Sequence, residues 1–293
     1  KGVIKMATSP SHQVGEWIGD FFENSIINYL KPIIMKKGFY LDYRHPRAAR
    51  NYRKEVIGID KEGNKHKLDI VIEKNGSENT FGIPKAYIEM AWRRYVKHSK
   101  NKVQEIAGAI RPLVATNAQS MPFYAAVLAG EFTQNSINQL RSQGFYVIYF
   151  NYDEICALFE KHGISIRWEE STSEATLNQI VEVLYSLPDT IKQDIQNSFY
   201  CIYREKLIDL TNALLEALDT VIEQIIVVPI HGFVTTLQSI EDAIGFIMNY
   251  DENTKAPILS YEITIRYNNG EEYIMKCKDK TKAIQFLNQY RGK

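Results

Sequence analysis

Two acidic residues stand where acids are costly. Asp69 interrupts the apolar run Leu68-Asp69-Ile70-Val71-Ile72, and Glu89 lies within Tyr87-Ile88-Glu89-Met90-Ala91. Both runs are built from residues that favour strands. A carboxylate inside an apolar strand is unfavourable unless it is paired or binds a cation. Two such strands side by side would bring both acids to one edge of a sheet. Hard oxygen donors of this kind suit Mg2+, which takes one or two protein carboxylates and keeps several waters. Beside a phosphodiester, such an ion assists attack by water and offsets charge on the phosphate.

The chain after Glu89 is basic. Arg93, Arg94, Lys97, His98, Lys100 and Lys102 follow one another with no acid among them, a pattern able to hold a phosphate backbone. A second basic stretch, Arg44, His45, Arg47, Arg50, Arg53 and Lys54, offers groups that grip phosphates or read guanine edges in the major groove. Plainer readings stand beside these. Asp69 fits a solvated hairpin residue, and 93–102 fits a solvated face. The 44–54 stretch fits an ordinary surface loop. Trp17, Phe21 and Phe22 read as core, Cys156 as a buried helix residue, and His231 as a structural strand end.

The elements that must position these groups follow from periodicity. Residues 12–37 read as a helix, with Trp17, Ile18, Phe21, Phe22, Ile26, Ile27 and Leu30 at helical spacing and Gly38 as its stop. Residues 39–43 form a short strand. Arms 55–60 and 66–73 make a hairpin around Lys61-Glu62-Gly63-Asn64. Strands follow at 86–91, 123–128 and 145–150, alternating with helices at 99–110 and 134–142 and with one that Asp153 caps, reaching Lys161. The alternation predicts a mixed sheet covered by helices on both faces. A polar stretch at 169–174 is the expected boundary, giving a domain over 1–170, a helical segment over 171–223 and a small α+β module over 224–293. In that module the pattern is strand, helix, hairpin, helix, with Asn268-Asn269-Gly270 as the hairpin turn.

Composition sets outer bounds. Among 293 residues, apolar types make up 45% and charged types 24%, with zero formal net charge, as in a globular chain with only local basic surface. Three cysteines far apart fit a reduced compartment and no metal-ligand spacing. Residues 1–11 read as a polar leader rather than a signal segment, and no apolar run approaches the roughly 18–20 residues that span a bilayer. The expectation is a cytoplasmic protein with no membrane partner. GxGxxG, GxxxxGK[ST], GxSxG and HExxH are all missing from the sequence, which argues against dehydrogenase, NTPase, esterase-type and zincin chemistry.

On the acids of Leu68-Asp69-Ile70-Val71 and Tyr87-Ile88-Glu89-Met90-Ala91, followed by the helix at 99–110, the sequence resembles the PD-(D/E)XK nuclease superfamily, type II restriction endonuclease-like, over roughly residues 12–165. The resemblance implies a restriction-endonuclease-like core and a Mg2+-dependent endonuclease that hydrolyses double-stranded DNA. It implies Asp69 and Glu89 as metal ligands, and an upstream helical glutamate, for which Glu16 in Gly15-Glu16-Trp17-Ile18-Gly19 is the first match and Glu23 the second. The family's lysine two residues after the glutamate is Ala91 here. Some members carry that charge on the next helix, which makes Lys102 the first candidate, with Lys97 and Arg93 as alternatives. Arg44, Arg47, Arg50, Arg93, Arg94 and Lys97 are the expected DNA contacts. A homodimer matched to a palindromic site is the expected assembly, with the helices of 175–222 as a possible interface. Two other classes stay open: a non-catalytic DNA-binding protein on a degenerate nuclease fold, marked by Ala91, and a protein-interaction scaffold built on the tail module.

Overall fold

The computed structural model describes residues 9–230, 233–252 and 260–291, and the backbone but not the side chain of His98. His231 and most of the expected leader lie outside the described residues. The chain divides into two compact units. The first comprises Lys1–Thr116 and Pro122–Leu214, and the second Asn117–Met121 and Leu215–Lys293.

The first unit begins with α1 (Pro10–Lys36), N-capped by the Ser9 side chain. Val14, Ile18, Phe22, Ile26, Leu30 and Ile34 recur every four residues and are all buried, which gives the helix one continuous apolar stripe. Strands β1 (Phe39–Tyr43), β2 (Val56–Ile59), β3 (Lys65–Leu68), β4 (Ile70–Lys74) and β5 (Ile83–Arg93) follow. After them come α2 (Ser99–Thr116), β6 (Phe123–Gly130), α3 (Gln134–Ser142), β7 (Tyr146–Asn151), α4 (Tyr152–Glu160), α5 (Glu174–Ser186), α6 (Asp189–Ile202) and α7 (Arg204–Leu218).

Five strands make one mixed sheet in the order β1-β4-β5-β6-β7. The first three run antiparallel, and β5, β6 and β7 run parallel with α2 and α3 as crossovers. Strand alternation sorts the two faces. Val71, Tyr87, Ala91, Ala126 and Leu128 join Val103, Ile106 and Ile110 of α2 and Ile137 and Leu140 of α3 in one core. Residues of the other parity, Ile70, Ile72, Ala86 and Ile88, are wholly buried on the face that α1 covers. On that face Phe22, Phe150, Phe199 and Tyr203 form an edge-to-face aromatic cluster with ring centroids 5.0 to 5.3 Å apart in three pairings, Phe22–Phe199, Phe150–Phe199 and Phe150–Tyr203.

Three expectations are corrected. The hairpin pairs only from Val56↔Leu68 to Ile59↔Lys65; past Asp69 the chain joins the large sheet as β4. Asp153 is not the cap of α4: Asn151 is, in a reciprocal capping box with Glu154. The helices after residue 170 do not form a segment of their own. They belong to the first unit as far as Leu214, where Gln196 Nε2 donates to Ser25 Oγ and Tyr200 Oη to Ser25 O of α1. In the second unit, β8 (Ile222–Pro229), β9 (Thr235–Leu237), β10 (Tyr261–Tyr267) and β11 (Glu272–Cys277) form a sheet in the order β11-β10-β8-β9, with α8 (Ile240–Asn249) and α9 (Lys280–Asn288) packed on one core. Gly270, at φ +85°, turns the chain between β10 and β11. Among the described residues no helix is long and apolar enough to cross a membrane.

One buried ion cluster holds the antiparallel edge. Arg47 is fully buried; it donates to Asp42 of β1 and to both oxygens of Glu73 of β4, and to the carbonyls of Ser77 and Thr80. Breaking a buried pair leaves uncompensated charge, typically at a cost of about 3–5 kcal/mol. Arg47→Met is expected to lower the thermal unfolding midpoint by roughly 6 °C or more; an unchanged midpoint contradicts this account of the edge.

Candidate active site

The two sequence-marked acids meet where the sheet forks. β4 pairs with β5 through Ile70↔Ile88 and with β1 through Tyr43↔Ile70, and there both ladders end. One residue earlier, Asp69 stands opposite Glu89 by continuation of the same register. From Glu89 to Arg93, β5 keeps its parallel partner β6 but has lost its neighbour on the other side. A side chain supplies the missing acceptor. The Met90 N–H donates to Asp69 Oδ2 at 2.7 Å, and the Asp69 N–H donates to Glu89 Oε1 at 3.2 Å. Each acid therefore closes a backbone bond on the other's strand, which fixes both side chains.

Asp69 in this clasp is partly exposed, and Glu89 is buried. Glu89 is 6% exposed. Burial, then the charge of Asp69, pushes the Glu89 carboxyl well above the ordinary range. Burial also raises Asp69, and the Met90 N–H and the charges of Lys102 and Lys67 act in the opposite sense. Each carboxyl group spends one oxygen on the backbone. The two carboxyl groups also hydrogen-bond each other. They are hard oxygen donors placed side by side, the set that Mg2+ prefers. Among the described residues, no group of three or more His, Cys, Asp or Glu stands as a metal-ligating cluster, so the pair would hold the ion with waters completing its shell.

Lys102 reaches the pair from α2. Ala91, two residues after Glu89 on the same face, is buried in the apolar core. Lys102 lies in the first turn of α2, and its charge is felt at both Asp69 and Glu89. Its Nζ is 3.6 Å from Glu105 Oε2, an oxygen that Arg93 Nη2 approaches to 3.9 Å. The cation therefore arrives from the helix rather than from the strand.

The upstream glutamate near the pair is Glu23. Glu16, Asp20 and Glu23 recur at i, i+4 and i+7 on one side of α1. Gly15 and Gly19 let α1 lie against Trp92 of β5, since a Cβ at Gly15 would come 3.1 Å from the Trp92 ring nitrogen. Glu23 feels the charge of Asp69 and is felt at Glu89. Glu16 is exposed, and its charge is felt at Asp20 and Tyr185. A small cleft of about 180 Å³ is lined by Glu16, Asp20, Glu23, Asp69 and Met90. A wider one, of about 570 Å³, is lined by Glu16, Asp20, Arg44, Ala91, Arg93 and Lys102. Helical spacing had carried the signal for Glu23, but spacing alone does not say which turn of α1 lies over the fork.

The expected DNA contacts separate into two groups. Arg47 and Arg50 are corrected to structural residues. Arg50 is buried, pairs with Asp42 and donates to the carbonyls of Tyr43, His45 and Arg53. Arg94 is corrected likewise: it donates to the Trp168 carbonyl, pairs with Glu169 and stacks over Tyr152. Arg44 is exposed at the wide cleft, Arg93 is partly exposed there, and Lys97 is exposed and paired with Glu170. Comparison with known proteins returns no match: no family model, curated protein or solved structure aligns with the chain.

Burial, then the charges of Asp69 and Asp20, raises the Glu23 carboxyl from 4.5 to about 7. In the unfolded chain it ionises near the ordinary value, so folding holds its proton across that interval. Stability should therefore fall as pH rises from about 4.5 to about 7 and carry the full penalty above it. Glu23→Gln removes the penalty. Without divalent ions it is expected to raise the unfolding midpoint at pH 8 by several degrees, about 1–3 kcal/mol, and to change little at pH 4. Equal shifts at both pH values contradict the assignment.

Proposed function

We propose that this chain is a Mg2+-dependent endonuclease that hydrolyses phosphodiester bonds of double-stranded DNA, with a restriction-endonuclease-like core over its first unit. The observation that carries this reading is the reciprocal clasp of Asp69 and Glu89 at the sheet fork, with the charge of Lys102 reaching both carboxyl groups. Two acids held that close, one buried and one partly exposed, with a basic helix turn beside them, fit a centre that binds a cation and a phosphate together.

The ion, when bound, supplies electrostatic stabilisation of the phosphate and activation of water. Asp69 and Glu89 would hold it through their carboxyl groups. Lys102, whose charge is felt at both acids, would stabilise negative charge that develops on the scissile phosphate. Glu23, with its raised proton affinity, orients or deprotonates the attacking water; Glu16 remains at the rim of both clefts, where it can bind a second ion. Arg44 and Arg93 flank the wider cleft and hold the neighbouring phosphates, and Lys97 extends that line. A homodimer acting on a palindromic site, as the nuclease half of a restriction–modification system, fits this chemistry.

Incubation of the purified protein with plasmid or phage DNA in Mg2+ is expected to give fragments that do not form in EDTA. Asp69→Ala and Glu89→Ala should abolish cutting, and Lys102→Ala should slow it by roughly 100-fold or more, while Lys102→Arg keeps part of the rate. Normal cutting by Asp69→Ala or Glu89→Ala would rule out this site. Salt-dependent DNA binding without cutting would favour a non-catalytic DNA-binding protein on the same fold.

A further inference from the structure

The sequence marked 44–54 as a basic DNA-contacting stretch, but its buried arginines act inside the fold. What they hold is the more informative feature. Arg47 O accepts the Tyr52 N–H at 2.9 Å, and Arg50 Nη2 donates to His45 O at 2.7 Å and Lys54 O at 3.4 Å. Asn51 and Tyr52 both adopt left-handed backbone, at φ +53° and +60°, a conformation that side-chain-bearing residues reach only where the surroundings impose it. The result is a stiff loop that presents Tyr52, 72% exposed, beside the exposed Arg53 and Lys54.

The β2–β3 ribbon rises from the same end of the sheet. Its inner side is fastened down. A Cβ on Gly58 would lie 2.7 Å from Leu113 of α2, and Val56 and Leu68 enter the core. Asp60 closes the turn, accepting the N–H groups of Glu62 and Asn64 and bonding His66 Nε2 at 2.8 Å. The Lys61 N–H donates to Thr116 Oγ1 at 2.8 Å. The outward side carries Ile57 opposite Lys67 and Ile59 opposite Lys65. Ile57 and Ile59 are 43% and 57% exposed. Exposed side chains across loop and ribbon are mainly cationic, Arg53, Lys54, Lys61, Lys65 and Lys67 against Glu55 and Glu62, on a chain with zero net charge. Lys67 lies two residues from Asp69, and its charge is felt there and at Glu23.

We propose that the outward face of the β2–β3 ribbon reads duplex DNA in the major groove, with the Tyr52–Lys54 loop seated on the adjoining backbone. The inference rests on the nuclease reading for its ligand and adds the element that selects sequence. A two-stranded ribbon, its strands about 4.8 Å apart, fits a groove about 12 Å wide. Isoleucine side chains meet thymine methyl groups there, and lysine meets guanine O6 and N7. Four ribbon residues span roughly 14 Å, about four base pairs. Since β3 runs straight into Asp69, the bases read lie within about four base pairs of the scissile phosphate.

The test uses the full chain carrying Asp69→Ala, with binding to a 30-base-pair duplex of random sequence followed by anisotropy across a salt series. Lys54→Ala and Lys65→Ala are each expected to reduce the salt slope by about one; the control Lys161→Ala on the far end of α4 leaves it unchanged. In the cutting-competent chain, Ile59→Ser is expected to weaken cutting at preferred sites by about 5- to 150-fold and to alter the fragment pattern, with an unfolding midpoint within 2–3 °C of the parent. Unchanged slopes and an unchanged fragment pattern in a chain that still cuts overturn the ribbon proposal and leave the nuclease reading standing. Absence of any salt-dependent binding by the parent overturns both.

Discussion

Two acids held together at a fork in the sheet govern this molecule. Asp69 and Glu89 are brought together by register, with Glu89 buried and Asp69 partly exposed, and fastened by the Asp69 and Met90 backbone N–H groups. Among the described residues neither forms an ion pair with Lys or Arg: the charge of Lys102 is felt at both, and its Nζ pairs with Glu105. A buried carboxylate pair without a full counter-charge either holds protons or waits for a cation. The fork in the sheet makes this arrangement possible. Had β4 run on beside β5, the Met90 N–H would have found a backbone carbonyl, and an acid at position 69 would have had no bond to make.

A second pair of strand acids shows the alternative outcome. Asp42 of β1 and Glu73 of β4 also follow apolar strand residues, and both are buried. Their counter-charge comes from Arg47, which spends its guanidinium on both and on two carbonyls. With Arg50 also paired to Asp42, that pair has its counter-charge inside the fold and serves the fold. The same rule, that an acid in an apolar strand needs a partner, thus sorts four acids into a structural set and a chemically available set once the arginine is placed.

That sorting marks the limit of what the sequence could yield. Period-2 and period-3.6 patterns located α1, β1, β5, α3 and the β10–β11 turn within a residue or a few, because those elements bury one face locally. The acids were visible because an apolar strand makes a carboxylate conspicuous. Arg47 and Arg50 were read as surface cations because a basic loop looks the same whether it faces water or folds back onto buried acids. Glu16 and Glu23 share one helix face, and only the packing of Gly15 and Gly19 on Trp92 decides which stands over the fork. The helices α5 and α6 were set apart by a polar linker, yet Gln196 and Tyr200 bind α1 across more than 170 residues of sequence, a pairing no local pattern carries.

The most direct measurement of the central claim is proton release on cation binding. Calorimetric titration of the protein with Mg2+ at pH 6.5, in buffers of differing ionisation enthalpy, counts the protons expelled. The account predicts release of roughly one proton or more, because carboxyl groups held protonated by burial must ionise to take the ion, and loss of both heat and release in Asp69→Asn. Binding with no proton release, or equal release from Asp69→Asn, would show that the cation goes elsewhere and that the buried pair serves only the fold.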